Sequence, residues 1–183
     1  MSAKRVRTLR SVGLEVGDAL RRAGITAVLT GGACASFHSH GAHHSIDLDF
    51  ILAGDVTRSQ LDDAMGQLGF KRHRDRYVHP EHPFFVEFPR GPLAIGDDVG
   101  IRPVLRRSGR HMVRMLSPTD SCRDRLAAFY HWNDRQSLTA AVQIALRNRV
   151  AMQRVRDWSD REGMIDKFEE FRAAVRAARR GSR

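Results

Sequence analysis

The sequence is poor in cysteine: it has two, Cys34 and Cys122, far apart and at no Cys-x-x-Cys or Cys/His ligand spacing. That argues against a disulfide framework, leaves reduced thiols as the expectation, and gives neither cysteine the setting of a nucleophile. Long apolar runs are missing too. Nothing approaches the ~20 residues of a bilayer-crossing helix. The start Met-Ser-Ala-Lys-Arg-Val-Arg has no apolar stretch behind it to act as a signal peptide. A cytoplasmic protein with no membrane partner is the expectation. There is no nucleophile elbow, Walker loop or dinucleotide fingerprint, and no internal repeat.

What the chain does have is positive charge, +10 formally, carried by 28 arginines against three lysines. A positive potential favours polyanions such as RNA, DNA or nucleoside triphosphates. Codon usage in a GC-rich genome would give the same arginine surplus, so charge alone leaves nucleic-acid contact open. With 42% hydrophobic residues the 183-residue chain can bury one fair-sized core, or a compact domain with a small helical companion.

Apolar spacing at Val6, Leu9, Val12, Val16 and Leu20 predicts an amphipathic helix, weakened by Gly13 and Gly17 and ending at Gly24. Residues 26–30 read as a strand that meets the turn Gly31-Gly32, with a short helix over 33–37. A His/Gly/Ser loop over 38–45 leads to a second strand at 46–51. Thr57 and Gln60 form a capping box for a helix with Leu61, Met65 and Leu68 inside and Gly69 at its end. Residues 70–115 read as irregular and β-rich, with strands at 84–88 and 111–115 in no readable pairing order. From Ser117-Pro118-Thr119-Asp120 onward the pattern is helical, with one apolar face on Leu138, Ala141, Val142, Ala145 and Leu146 and another on Ile165, Phe168, Phe171 and Val175. Residues 176–183 are expected to be frayed.

Chemistry concentrates in Ser45-Ile46-Asp47-Leu48-Asp49-Phe50. Side chains two apart on a strand share a face, so Asp47 and Asp49 project together while Ile46, Leu48 and Phe50 turn into the core. Two adjacent carboxylates repel unless a cation lies between them, and hard oxygen ligands suit Mg²⁺ or Mn²⁺ bound with substrate phosphates. At the end of the preceding strand, Gly31-Gly32 would offer backbone N–H groups to a triphosphate, where a Cβ would hold the phosphates off. The two halves in this order, about fifteen residues apart, form a far more specific pattern than either alone.

At these residues the sequence resembles the nucleotidyltransferase superfamily of polymerase-beta-like fold, whose pattern is a Gly-Gly or Gly-Ser turn, a helix and an Asp-x-Asp strand. It is most similar to the minimal bacterial branch that includes AbiEii-type toxins of toxin–antitoxin systems. Ala33 replaces the Thr common after the glycines, His43 stands where that branch has Arg, and Ser45 keeps a hydroxyl. The resemblance implies Asp47, Asp49 and a later acid as catalytic metal ligands, with Gly31, Gly32, His43 and Ser45 at the nucleotide. Glu87, the one acid in an apolar strand, is the candidate third ligand, against a solvated-face glutamate; Asp97 and Asp98 are the fallback. Arg125 stands where the branch places a phosphate-binding Lys, or else forms a helix-surface ion pair.

The expected fold is α/β (α+β): a small mixed sheet flanked by helices, residues 1–115, followed by a helical bundle, residues 116–183. The implied activity is Mg²⁺- or Mn²⁺-dependent transfer of NMP from an NTP to an acceptor hydroxyl. The acceptor would be tRNA, another RNA or a protein, and an antitoxin is a candidate partner. The alternative is a catalytically degenerate nucleotide- or RNA-binding module, which Ala33 and His43 favour. His38, His40, His43 and His44 lack a cysteine at ligand spacing and are read as surface or phosphate-contacting histidines rather than a zinc site. Trp132, Trp158, Tyr77 and Tyr130 could stack on bases, with core packing expected for Tyr130 and Trp158.

Overall fold

The computed structural model describes residues 7–181. Val6 of the expected first stripe, and residues 182–183, lie outside them. Helix α1 (Leu9–Arg22) starts where Thr8 and Ser11 cap each other reciprocally and buries Leu9, Val12, Val16 and Leu20. Gly13 and Gly17, expected only to weaken it, instead let it approach the sheet. A Cβ on Gly17 would lie 2.6 Å from Cγ2 of Val113, and one on Gly13 would lie 3.1 Å from Leu48 and Phe37 side-chain carbons.

Strand β1 (Thr26–Leu29) runs into helix α2 (Gly31–His38), so the glycine pair opens the helix directly. Strand β2 (Asp47–Ala53) follows, then helix α3 (Arg58–Gly66) with the expected Thr57–Gln60 capping box. The irregular region resolves into a meander of β3 (Lys71–His73), β4 (Arg76–His79) and β5 (His82–Glu87), then the hairpin β6 (Val104–Ser108) and β7 (His111–Met115). The sheet has seven strands in the order β3-β4-β5-β2-β1-β7-β6. It is mixed, since β2 pairs parallel with β5, β1 parallel with β7, and the other neighbours are antiparallel.

Helices α4 (Pro118–Trp132), α5 (Arg135–Arg147), α6 (Met152–Arg161) and α7 (Ile165–Gly181) complete the chain. Ser117 caps α4 through the Asp120 N–H, with proline at the first turn as expected. Residues 176–181 stay helical rather than fraying. Val175 is buried there, and the Arg179 guanidinium donates to the Ala145 carbonyl. Tyr130 and Trp158 stack at 5.4 Å inside the core, as expected.

Two contacts tie the helices to the sheet half. The His38 ring lies 2.9 Å from the Leu116 carbonyl at the β7–α4 junction, and the Asn148 amide donates to the His38 carbonyl at 2.7 Å. Both thiols are fully buried along this seam, Cys34 against the Leu116 carbonyl and Cys122 against that of Ala141. Burial pushes the Cys34 thiol up to about 12 and raises that of Cys122 as well, which removes both from nucleophilic chemistry. Arg123, fully buried, donates to Asp120 at 3.0 Å and Asp98 at 2.6 Å and lies over the Trp158 ring. Asp98, a fallback metal ligand, is thereby spent on an ion pair.

No helix among the described residues is long and apolar enough to cross a membrane. Gly17→Ala should destabilise the protein by about 1–3 kcal/mol in chemical denaturation, because the added methyl meets the Val113 backbone as well as its side chain. The roughly 1 kcal/mol of helix propensity gained does not offset this; an unchanged or raised stability would show that α1 can back away freely.

Candidate active site

The site is built at the joint between β1–α2 and β2. The Thr30 N–H donates to the Asp49 carbonyl at 2.9 Å, which fixes the N-cap of α2 against the carboxylate strand. Gly31 sits at φ +64°, and a Cβ there would lie 2.5 Å from Oδ2 of Asp49. Glycine is required for both backbone shape and the acid beside it. Thr30 gives α2 no side-chain cap, so the first N–H groups of the helix keep their capacity for an anion.

Asp47 and Asp49 are half-buried and share one face of β2, while Leu48 and Phe50 on the other face are fully buried. Ile46 departs from the expected alternation. It stands one residue ahead of the strand at 57% exposure on the rim, where nothing packs over it. Parallel pairing of β2 with β5 sets Glu87 beside Asp49. Glu87 is half-buried rather than enclosed, and its charge is felt at Asp49. Burial, then the negative charges of Asp47 and Glu87, push the Asp49 carboxyl up to about 6, against the pull of Arg125.

A cleft of about 390 Å³ opens over this face. Six of the eight residues expected from sequence line it: Gly32, His43, Ser45, Asp47, Asp49 and Arg125. Gly31 abuts it through Asp49, and Glu87 stands behind Asp49 on the neighbouring strand. Ser45 spends its hydroxyl on Asp47, donating to the carboxylate and, at 3.2 Å, to the backbone carbonyl, so it orients the acid. His43 lies over Gly32. Burial, and then the positive charge of Arg125, lower its pKa, so it is neutral at pH 7. Arg125 donates to Asp124 at 2.8 Å and to Ser137 at 3.4 Å. Burial opposes its charge most strongly, but Asp124 and Asp49 among its neighbours together more than offset burial and raise its pKa. Arg125 is thus ion-paired, though half-buried rather than on the surface, and it also faces the cleft.

The far wall, missed from sequence, is the start of α5. Asp134 caps that helix, accepting from the Gln136 and Ser137 N–H groups and the Ser137 hydroxyl, and all three residues line the cleft. Nothing local to Asp134 in the sequence reveals what this cap faces. Among the described residues, no three His, Cys, Asp or Glu side chains stand close enough to hold a metal ion by themselves. A larger cavity of about 1170 Å³ lies elsewhere, between the start of α1, the β4–β5 turn and the β6–β7 turn, with Glu15 and Glu81 as the acids on its wall.

No family model matches the chain, and no curated protein matches its sequence. The crystal structure of an antigenic nucleotidyltransferase-like protein from Paracoccidioides brasiliensis matches with a TM-score of 0.65. The match covers 92% of this chain and 92% of that one, at 15% sequence identity. The fold is therefore that of a nucleotidyltransferase-like protein, α/β with a mixed sheet and C-terminal helices.

Asp49 titrates near pH 6 when folded and near 3.8 when free, so its charge opposes folding above pH 6, and the penalty fades as pH falls towards 4. Asp49→Asn should therefore raise stability at pH 7.5 by on the order of 2 kcal/mol, or roughly 5 °C in melting temperature. The gain should disappear by about pH 4. A gain independent of pH would show that crowding of carboxylates is not its cause.

Proposed function

We propose that the protein is a divalent-metal-dependent nucleotidyltransferase that moves NMP from an NTP to an acceptor hydroxyl. The observation that carries this reading is the parallel β2–β5 register, which gathers Asp47, Asp49 and Glu87 on one face of the central strands beside an uncapped glycine-led helix start. Burial first, and then the like charges of Asp47 and Glu87, lift the Asp49 carboxyl to about 6, and carboxylates so placed favour a cation beside them. The hard oxygen donors fit Mg²⁺ or Mn²⁺. Such ions are commonly held by one or two carboxylates plus substrate phosphates, so the lack of a closed three-residue cage agrees with binding alongside a nucleotide. Asp47 and Asp49 would hold the ion, with Glu87 in reach of a second; once bound, it would neutralise phosphate charge and acidify the attacking hydroxyl.

The residues of the chain do the rest. The N–H groups at the start of α2 bind phosphate oxygens, and Ser45 holds Asp47 in orientation. Arg125 faces the same cleft and stabilises the charge that leaves with pyrophosphate. The acceptor oxygen attacks the α-phosphorus, the bond to the pyrophosphate oxygen breaks, and the hydroxyl proton passes to a carboxylate on that face.

The finer placement, in the AbiEii-type toxin branch with an RNA or protein acceptor and an antitoxin partner, is supported by Thr30-Gly31-Gly32 and Asp47-Leu48-Asp49-Phe50 together with the +10 charge. A nucleotide- or RNA-binding module without catalysis is the second reading. The specific observation behind it is that His43, where the branch carries a cationic arginine, is uncharged at neutral pH.

Incubation with each labelled NTP, Mg²⁺ and total cell RNA or protein should yield labelled acceptor and pyrophosphate. Asp47→Asn and Asp49→Asn should each lower transfer by about a thousandfold or more while the far-UV spectrum stays native, because the buried face of β2 is untouched. Magnesium-dependent NTP binding without pyrophosphate release would favour the binding module, and transfer retained by both variants would exclude this site.

A further inference from the structure

The cleft supplies charge and hydrogen bonds but no Phe, Tyr or Trp, and Ile46 is the one aliphatic side chain on its wall. A nucleobase needs an apolar plane, and such a plane stands just beyond. Trp132 is the last residue of α4, 78% exposed, and the most exposed large hydrophobic residue among those described. It lies seven residues after Arg125 on the same helix, almost two full turns, so the two share a helix face about 10.5 Å apart along the axis. Asn133 turns the chain in a left-handed conformation at φ 52°, and Asp134, two residues beyond Trp132, already lines the cleft. That places the backbone of Trp132 within about 7 Å of the cleft wall.

Nothing in the fold requires an indole there. Its ring contact is His131, edge-on at 6.1 Å, while Phe129 and Tyr130 just before it are buried. A polar residue would end the helix as well, with better helix propensity in several cases.

We propose that Trp132 is a stacking platform for a nucleobase of the substrate whose phosphates occupy the cleft. The inference rests on the nucleotide-binding part of the proposed function, but not on catalysis. Arg125 and Trp132 then take the two ends of one ligand, the phosphates and the base. Stacking engages the π-face that every base has, so the contact strengthens binding with little choice among bases.

The chain has two tryptophans, and Trp158 is buried, so quenching of accessible indole emission reports Trp132. The full chain would be titrated, with Mg²⁺, against each of the four NTPs, against inorganic tripolyphosphate and against a short single-stranded RNA, all corrected for absorbance. Base-bearing ligands should quench and tripolyphosphate should not. Trp132→Ala should weaken binding of the quenching ligand by about tenfold, and Trp132→Phe should restore most of it. Quenching by mononucleotides supports the platform, and quenching by RNA alone would overturn it, because the stacked base would then not belong to the ligand whose phosphates occupy the cleft. Absence of quenching by any base, or unchanged affinity in Trp132→Ala, overturns the inference. Base quenching in a protein that transfers nothing would sink the proposed reaction and leave the platform standing, whereas transfer with a KM indifferent to Trp132→Ala would do the reverse.

Discussion

The hydrogen bond from the Thr30 N–H to the Asp49 carbonyl extends the antiparallel β1–β2 ladder one pair past Leu29 and Phe50, and so makes a joint of the start of helix α2 and the carboxylate strand. Everything chemical in the protein lies within reach of that joint. Because it brings the α2 backbone so close to β2, the residue after Thr30 can carry no side chain: a Cβ at Gly31 would strike the Asp49 carboxylate before it met any ligand. The same closeness withdraws Asp49 from water and sets its charge against those of Asp47 and Glu87. The fold accepts that electrostatic cost where the carboxylates open onto the cleft.

The remainder of the architecture keeps the joint in place. The close seat of α1 on Val113 and Leu48, made possible by Gly17 and Gly13, presses the sheet from one side. His38 and Asn148 fasten the far end of α2 to the helical half. That half in turn presents Arg125 and the Asp134 cap across the cleft. The apolar core is continuous from Leu9 to Val175, so the carboxylate strands and the helices that face them are supported by one body of packed side chains.

Much of this was legible in the sequence, for local reasons. Capping chemistry at Thr57 and Ser117, and two-residue alternation at Leu48 and Phe50, depend on nearest neighbours and appeared as expected. So did the grouping of Gly32, Asp47 and Asp49, because a glycine turn and an alternating strand are short-range patterns. What stayed hidden depends on distant partners. Ile46 belongs to the apolar alternation in sequence but lies ahead of the strand and is exposed, and Gly13 and Gly17 look like helix defects until β7 and β2 are placed against them. The order of the seven strands is set by the parallel β2–β5 and β1–β7 pairings, which no local signal encodes. Asp134 and Ser137 reach the cleft only because α4 and α5 fold back over the carboxylate face of the sheet.

The two thiols sealed along the seam have a practical meaning. Each is reachable by an alkylating reagent only when the packing around it parts, and for Cys34 that means α2 separating from the β7–α4 junction. The native protein is thus equipped with a clock at the base of its cleft: the rate at which Cys34 becomes labelled measures how often the glycine-led helix breathes away from its support.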